Sequence, residues 1–167
     1  MKIERKQKLL AKMRALPAAV RQEINKALRV GAEEMSDTAR AFAPMGETGA
    51  LKASIGYTFG EYKSDNANVR GVGAGGGVGD PDLSVAIHAG DARAWYARLV
   101  EFGTRAHAIK AKEKRLSDGS QFYGTEVRHP GTGGQPFFFP AYRLTKKRMR
   151  SRLQRATNSA AKKVAAR

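Results

Sequence analysis

Between Pro17 and Phe42 the apolar or small residues Val20, Ile24, Leu28, Gly31, Met35, Ala39 and Phe42 recur in steps of three or four. That spacing places them on one stripe of an α-helix. Pro17 suits a first helical turn, where its missing N–H costs nothing, and Pro44 disfavours helical geometry in the residue before it, so both ends are marked. At about 1.5 Å per residue the helix spans roughly 40 Å.

After the turn residues Gly46, Thr48 and Gly49 the period changes to two. Leu51, Ala53, Ile55, Tyr57 and Phe59 alternate with Lys52, Ser54, Gly56 and Thr58, which predicts a half-buried strand. Leu83, Val85, Ile87 and Ala89 predict a second, and Val69 to Val72 a weaker one. A single polar face favours an antiparallel sheet.

Asp91 is placed to cap a short helix carrying Trp95, Tyr96, Leu99, Val100 and Phe102, with those aromatics on the sheet and Gly103 at a left-handed C-terminal cap. The polar stretch 104–135 reads as an extended hairpin or arm, with strands near Ala106 to Ala111 and Phe122 to His129 around Ser117-Asp118-Gly119. Beyond Pro140 the helical period returns at Thr145, Met149, Leu153, Ala156, Ala160 and Val164. This second long helix is thinly apolar, and its full order calls for a partner surface.

Charge divides the chain. Of 31 Lys and Arg, six lie in residues 1–14 with one Glu, and ten lie in residues 143–167 with no acid. The rest is nearly neutral. Like charge massed at both ends repels itself and does not help the fold, so an anionic partner is expected, DNA or an acidic protein surface. The expected division is a basic extension at 1–15, an α+β core at 16–142 with the arm at 104–135, and a basic helix and tail at 143–167. No apolar run approaches the roughly 18 to 20 residues that cross a bilayer, so a soluble, cytoplasmically made protein without membrane contact is expected. Without cysteine there are no disulfides or thiolate zinc sites.

Motifs for chemistry are weak. Gly71-Val72-Gly73-Ala74-Gly75-Gly76 matches a dinucleotide-binding pattern, but Gly77-Val78-Gly79-Asp80-Pro81 follows and cannot open the required helix. The segment reads as a loop between strands. His88, His107 and His129 lack metal-site spacing, and Ser54, Ser84 and Ser120 lie in no nucleophile elbow. Neither cofactor nor metal is expected, and no catalytic residue is assigned. Glu101, in the apolar run Leu99-Val100-Glu101-Phe102, needs a cation or several donors to stay charged. The expectation is an ion pair with Arg40, Arg98 or Arg105, within the subunit or between subunits.

Three segments in this order resemble the neck or tail-completion family of long-tailed bacteriophages, also described as head-tail joining or minor tail components. The first is Ala39-Arg40-Ala41-Phe42-Ala43-Pro44 leading to Thr48-Gly49-Ala50-Leu51-Lys52-Ala53-Ser54-Ile55. The second is Tyr96-Ala97-Arg98-Leu99-Val100-Glu101-Phe102-Gly103-Thr104. The third is His129-Pro130-Gly131 followed by Gln135-Pro136-Phe137-Phe138-Phe139-Pro140-Ala141, with Pro136 and Pro140 bracketing an aromatic plug before a helix. The glycine-rich loop at 71–79 and the basic extension depart from the family pattern.

The resemblance implies a non-enzymatic α+β subunit of the virion, with an antiparallel sheet packed against a long N-terminal helix and a long basic C-terminal helix. It implies a ring, six-fold by the symmetry of such tails, around the channel for genomic DNA, beside head-closure and tail-terminator or tail-tube proteins. Closed rings need heterologous contacts, and the arm and the C-terminal helix are the segments expected to make them. Arg40, Pro44, Thr48, Gly49, Leu51, Tyr96, Glu101, Phe102, Gly103, Thr104, Pro136, Phe137 and Pro140 carry the motifs and are expected in packing or subunit contacts. Lys146, Lys147, Arg148, Arg150, Arg152 and Arg155 are expected to meet channel DNA or an acidic neighbour. The competing reading is a free, non-sequence-specific nucleic-acid-binding protein, supported by a pI near 10.5.

Overall fold

The computed structural model describes residues 17–62, 80–111, 116–117 and 119–165. The basic extension, the glycine-rich segment and the strand expected at Val69 to Val72 lie outside these residues.

Helix α1, Ala18–Phe42, follows the periodic stripe. Pro17 stands just before it, and Ala43 turns to extended backbone with ψ 131, as the proline after it demands. The face made by Val20, Ala27, Leu28, Gly31, Ala32, Met35, Ser36 and Ala39 is buried, mostly against the last helix, α4, Phe138–Ala165. The two run antiparallel: Glu23 meets Lys163, and Glu34 meets Arg148 and Arg152. Small residues bring the helices close. A Cβ on Gly31 would stand 2.9 Å from Cγ of Met149.

The strand expected from Leu51 begins later. Ala50–Ala53 forms a helical turn, α2, entered through Gly49 at φ 62, and the strand β1 spans only Gly56–Phe59. Leu51 and Ile55 are four residues apart, so one turn of helix puts both on the same side as readily as a strand does. They are 3% and 1% exposed.

β1 pairs antiparallel with β2, Val85–His88, and both pack on α1. Tyr57 donates to Glu33 at 2.8 Å, and the guanidinium of Arg29 lies 5.0 Å from the centre of the Phe59 ring. Five residues ahead of β2, the buried Asp80 carboxylate accepts from both terminal nitrogens of Arg21, at 2.7 and 2.9 Å. Hydrogen bonds to Asp80 and Asp82 hold the Arg21 guanidinium well above its usual range.

In place of one sheet there are separate antiparallel pairs. The arm is a ribbon in which β3, His107–Lys110, pairs with β6, Glu126–His129. Farther out β4, Leu116–Ser117, pairs with β5, Phe122–Gly124. Its strands pack on each other and make no substantial contact with either long helix.

Candidate functional site

The short helix α3, Ala97–Phe102, starts later than expected, because Asp91 caps the preceding turn, accepting the N–H groups of Arg93 and Ala94 at 2.8 and 2.7 Å. Its inner side, Ala97 with Tyr96 and Val100, packs on Ala39, Ala43, Leu51, Ile55, Phe137 and Ala141. The expectation that its aromatics lie on the sheet is overturned. Trp95, Leu99 and Phe102 are 54%, 40% and 53% exposed, because the small Ala97 and the carboxylate of Glu101 take the inward positions.

Glu101 is 6% exposed, and among the described residues its partners are backbone N–H groups rather than an arginine. One oxygen accepts the N–H groups of Phe137 and Phe138 at 2.7 and 2.8 Å, and the other that of Phe139 at 3.0 Å. Backbone donors, rather than a cation, satisfy both carboxylate oxygens. They are the orphan donors of the start of α4, where the helix dipole also favours an anion. The bracketing role expected of the two prolines is corrected accordingly. The helix begins at Phe138, and Pro140 sits in its first turn, where a missing N–H is harmless.

Arg40 is used elsewhere: Nε and a terminal nitrogen donate to the Ile55 carbonyl at 3.1 and 2.7 Å, and the other terminal nitrogen to Asp37 at 2.7 Å. It fixes the joint between α2 and β1. Ser54 ties the same joint to the end of β2, donating to the Leu51 carbonyl and accepting the Gly90 N–H at 3.0 Å. Thr48 accepts the Ala50 N–H at 3.4 Å. Phe137 is 1% exposed, the largest fully buried side chain among the described residues.

The base of the arm is a crossing of two backbones. Thr104 and Thr132 exchange N–H···O bonds of 2.9 and 3.1 Å, and Gln135 N–H donates to the Val100 carbonyl at 2.7 Å. Gly103 has φ 72 and ψ −175, an extended positive-φ conformation rather than the expected left-handed cap. A Cβ there would strike the Thr132 carbonyl, and one on Gly131, at φ 89, would strike that of Thr104. His107 and His129 stack across the ribbon just beyond, ring centres 5.1 Å apart.

The basic residues of α4 fall into two groups. Arg148 and Arg152 bind Glu34 at 2.7 and 3.0 Å, and Arg155 donates to Ser151. Lys147 and Arg150 are exposed on the face away from α1, with Lys146 beside them, 5.4 Å from the Tyr142 ring centre. Arg143, one helical step before Lys147, completes that outward stripe. It was missed, although it is the first of the ten basic residues. Also missed were the exposed Trp95 and Leu99, whose spacing with Phe102 is helical, and Phe139, 5.8 Å from Phe102 ring to ring.

Among the described residues no three His, Cys, Asp or Glu side chains gather as a metal site, and no helix is long and apolar enough to cross a membrane. No curated protein and no solved structure matches the chain. A family model does, over residues 7–103, described as "Bacteriophage HK97-gp10, putative tail-component". The match takes in the first resembling segment and the second as far as Gly103, and stops before the third. Covering more than half of the sequence, it shows that the chain belongs to the HK97-gp10-like family of phage tail components.

Proposed function

We propose that the protein is a structural subunit of the virion that closes, in six copies, into a ring at the top of the tail and joins it to the head. Genomic DNA passes through the ring. Head-closure protein lies on one side and tail-terminator or tail-tube protein on the other.

The observation that carries this reading is the division of labour on α4. Its inner face is committed to α1, and Glu34 holds Arg148 and Arg152 against the body. Arg143, Lys147 and Arg150 remain on the outer face, with no acid anywhere from position 143 to 167. A rigid row of cations presented outward suits phosphates, or an acidic neighbouring ring, without reading sequence. Three exposed cations also suit a channel from which DNA must slide, because such contacts are individually weak and screened by salt.

The test is reconstitution. Heads and tails assembled without this protein are mixed with the purified chain, and joined particles are counted by electron microscopy and infectivity. Joining that depends on the chain supports the proposal. Unjoined particles, with salt-dependent DNA binding by the chain alone, would favour the free nucleic-acid-binding reading.

A further inference from the structure

We infer that the aromatic tip of the arm docks on the Trp95, Leu99 and Phe102 stripe of a second copy of the chain. This rests on the ring reading above and names the surfaces that would close it. Phe122 and Tyr123, beside the turn of the arm, are 69% and 45% exposed. Trp95, in the turn before α3, forms an apolar stripe with Leu99 and Phe102 on the helix, widened by Phe139 at 37% exposure. Large exposed apolar groups gathered in one place mark a surface that is covered in the assembled state.

The geometry selects the occupant. Phe102 stands directly before Gly103 and Thr104, where the ribbon leaves the body, whereas Phe122 and Tyr123 lie at its far end. At about 3.3 Å per residue, the ladder between the Thr104–Thr132 crossing and the Lys110–Glu126 pair sets the tip roughly 20 Å beyond the stripe. The tip of one copy therefore stands clear of its own stripe and can cover that of a neighbour. The two surfaces differ and sit at opposite ends of the arm, which suits the head-to-tail contact that propagates around a closed ring.

The arm also needs such a seat. All residues of β3 and β5 are exposed, and β6 alternates between exposed and half-buried positions. An isolated two-stranded ribbon is marginal in water. Two aromatics on the tip and three on the stripe, 37–69% exposed, still have roughly 500 Å² to bury in the contact, at about 150–250 Å² for each whole side chain. Each subunit of a ring makes the contact twice, once with its tip and once with its stripe.

The chain has no cysteine, so engineered pairs report cleanly. Phe122→Cys and Leu99→Cys chains are mixed, assembled with heads and tails, oxidised, and run without reductant; the double variant is treated alike. Both positions are exposed, so neither variant disturbs the core. The expected result is a covalent dimer in the mixture at least tenfold above either single variant, and a ladder of multimers from the double variant. Adding Trp95→Asp to the Leu99→Cys chain should abolish the dimer. Rings that form without the cross-link would overturn the docking while leaving the ring reading intact. No assembly at all would overturn both.

Discussion

The carboxylate of Glu101 seats the start of a helix that begins 37 residues later, accepting the Phe137 N–H at 2.7 Å. It also takes the N–H groups of Phe138 and Phe139, so one acidic side chain fastens α3, the base of the arm and α4 together. Glu101→Ala leaves those donors without their acceptor beside the buried Phe137. The expected loss is about 3 kcal/mol, from one to three per unsatisfied buried group with partial rescue by water. For a chain of this size that lowers Tm by roughly 6–12 °C in a calorimetric scan. Glu101→Gln should lose less, because one oxygen can still accept.

The pair Gly103 and Gly131 makes a separate prediction. Both have positive φ and face backbone on the opposite segment, so Gly→Ala adds strain of about 1–3 kcal/mol besides the clash. Hydrogen exchange should show amide protection falling from 104 to 110 and from 126 to 132, with α1 unchanged. Equal protection in the variants would contradict the crossing.

Much of this was legible beforehand. The stripe from Val20 to Phe42 and the prolines at its ends marked α1 almost to the residue, because a long helix repeats its signal many times. Leu51 and Ile55 were misplaced because their spacing satisfies a strand and a helical turn equally, and only the packing on Ala39, Ala97 and Phe137 decides. Glu101 reads from the sequence as a half-buried carboxylate needing a cation or several donors, with an arginine as the expected partner. Its partners are backbone N–H groups, which every residue but proline carries, so no side-chain chemistry marks them. The exposure of Trp95, Leu99 and Phe102 was hidden for a related reason: aromatic residues at helical spacing look the same whether they face a core or a neighbouring subunit.

Arg21 and Asp80 anchor the chain where it re-enters β2. Asp80 has a side-chain exposure of 2%, against 21% for Arg21. Arg21→Ala strands a buried carboxylate, and a lower urea midpoint is expected, though a smaller drop than for a fully buried pair because Arg21 itself reaches solvent. A urea titration measures it. Arg21→Lys should recover only part, since an ammonium cannot make the forked contact.

The outward and inward cations of α4 should separate in a salt titration. Replacing Arg143, Lys147 and Arg150 by Gln is expected to change stability by less than about 0.5 kcal/mol. The same change should reduce the slope of log affinity for duplex DNA against log salt by about 3, near 0.9 per phosphate contact. Replacing Arg148 and Arg152 should do the reverse, costing stability through Glu34 and leaving the slope nearly unchanged.

Assembly is read from the mass and shape of the purified protein by light scattering and electron microscopy, with and without phage heads and tails. A ring at six times the 18.1 kDa chain mass is expected, formed alone or at the head-tail junction. A persistent monomer that ignores both heads and tails would contradict it.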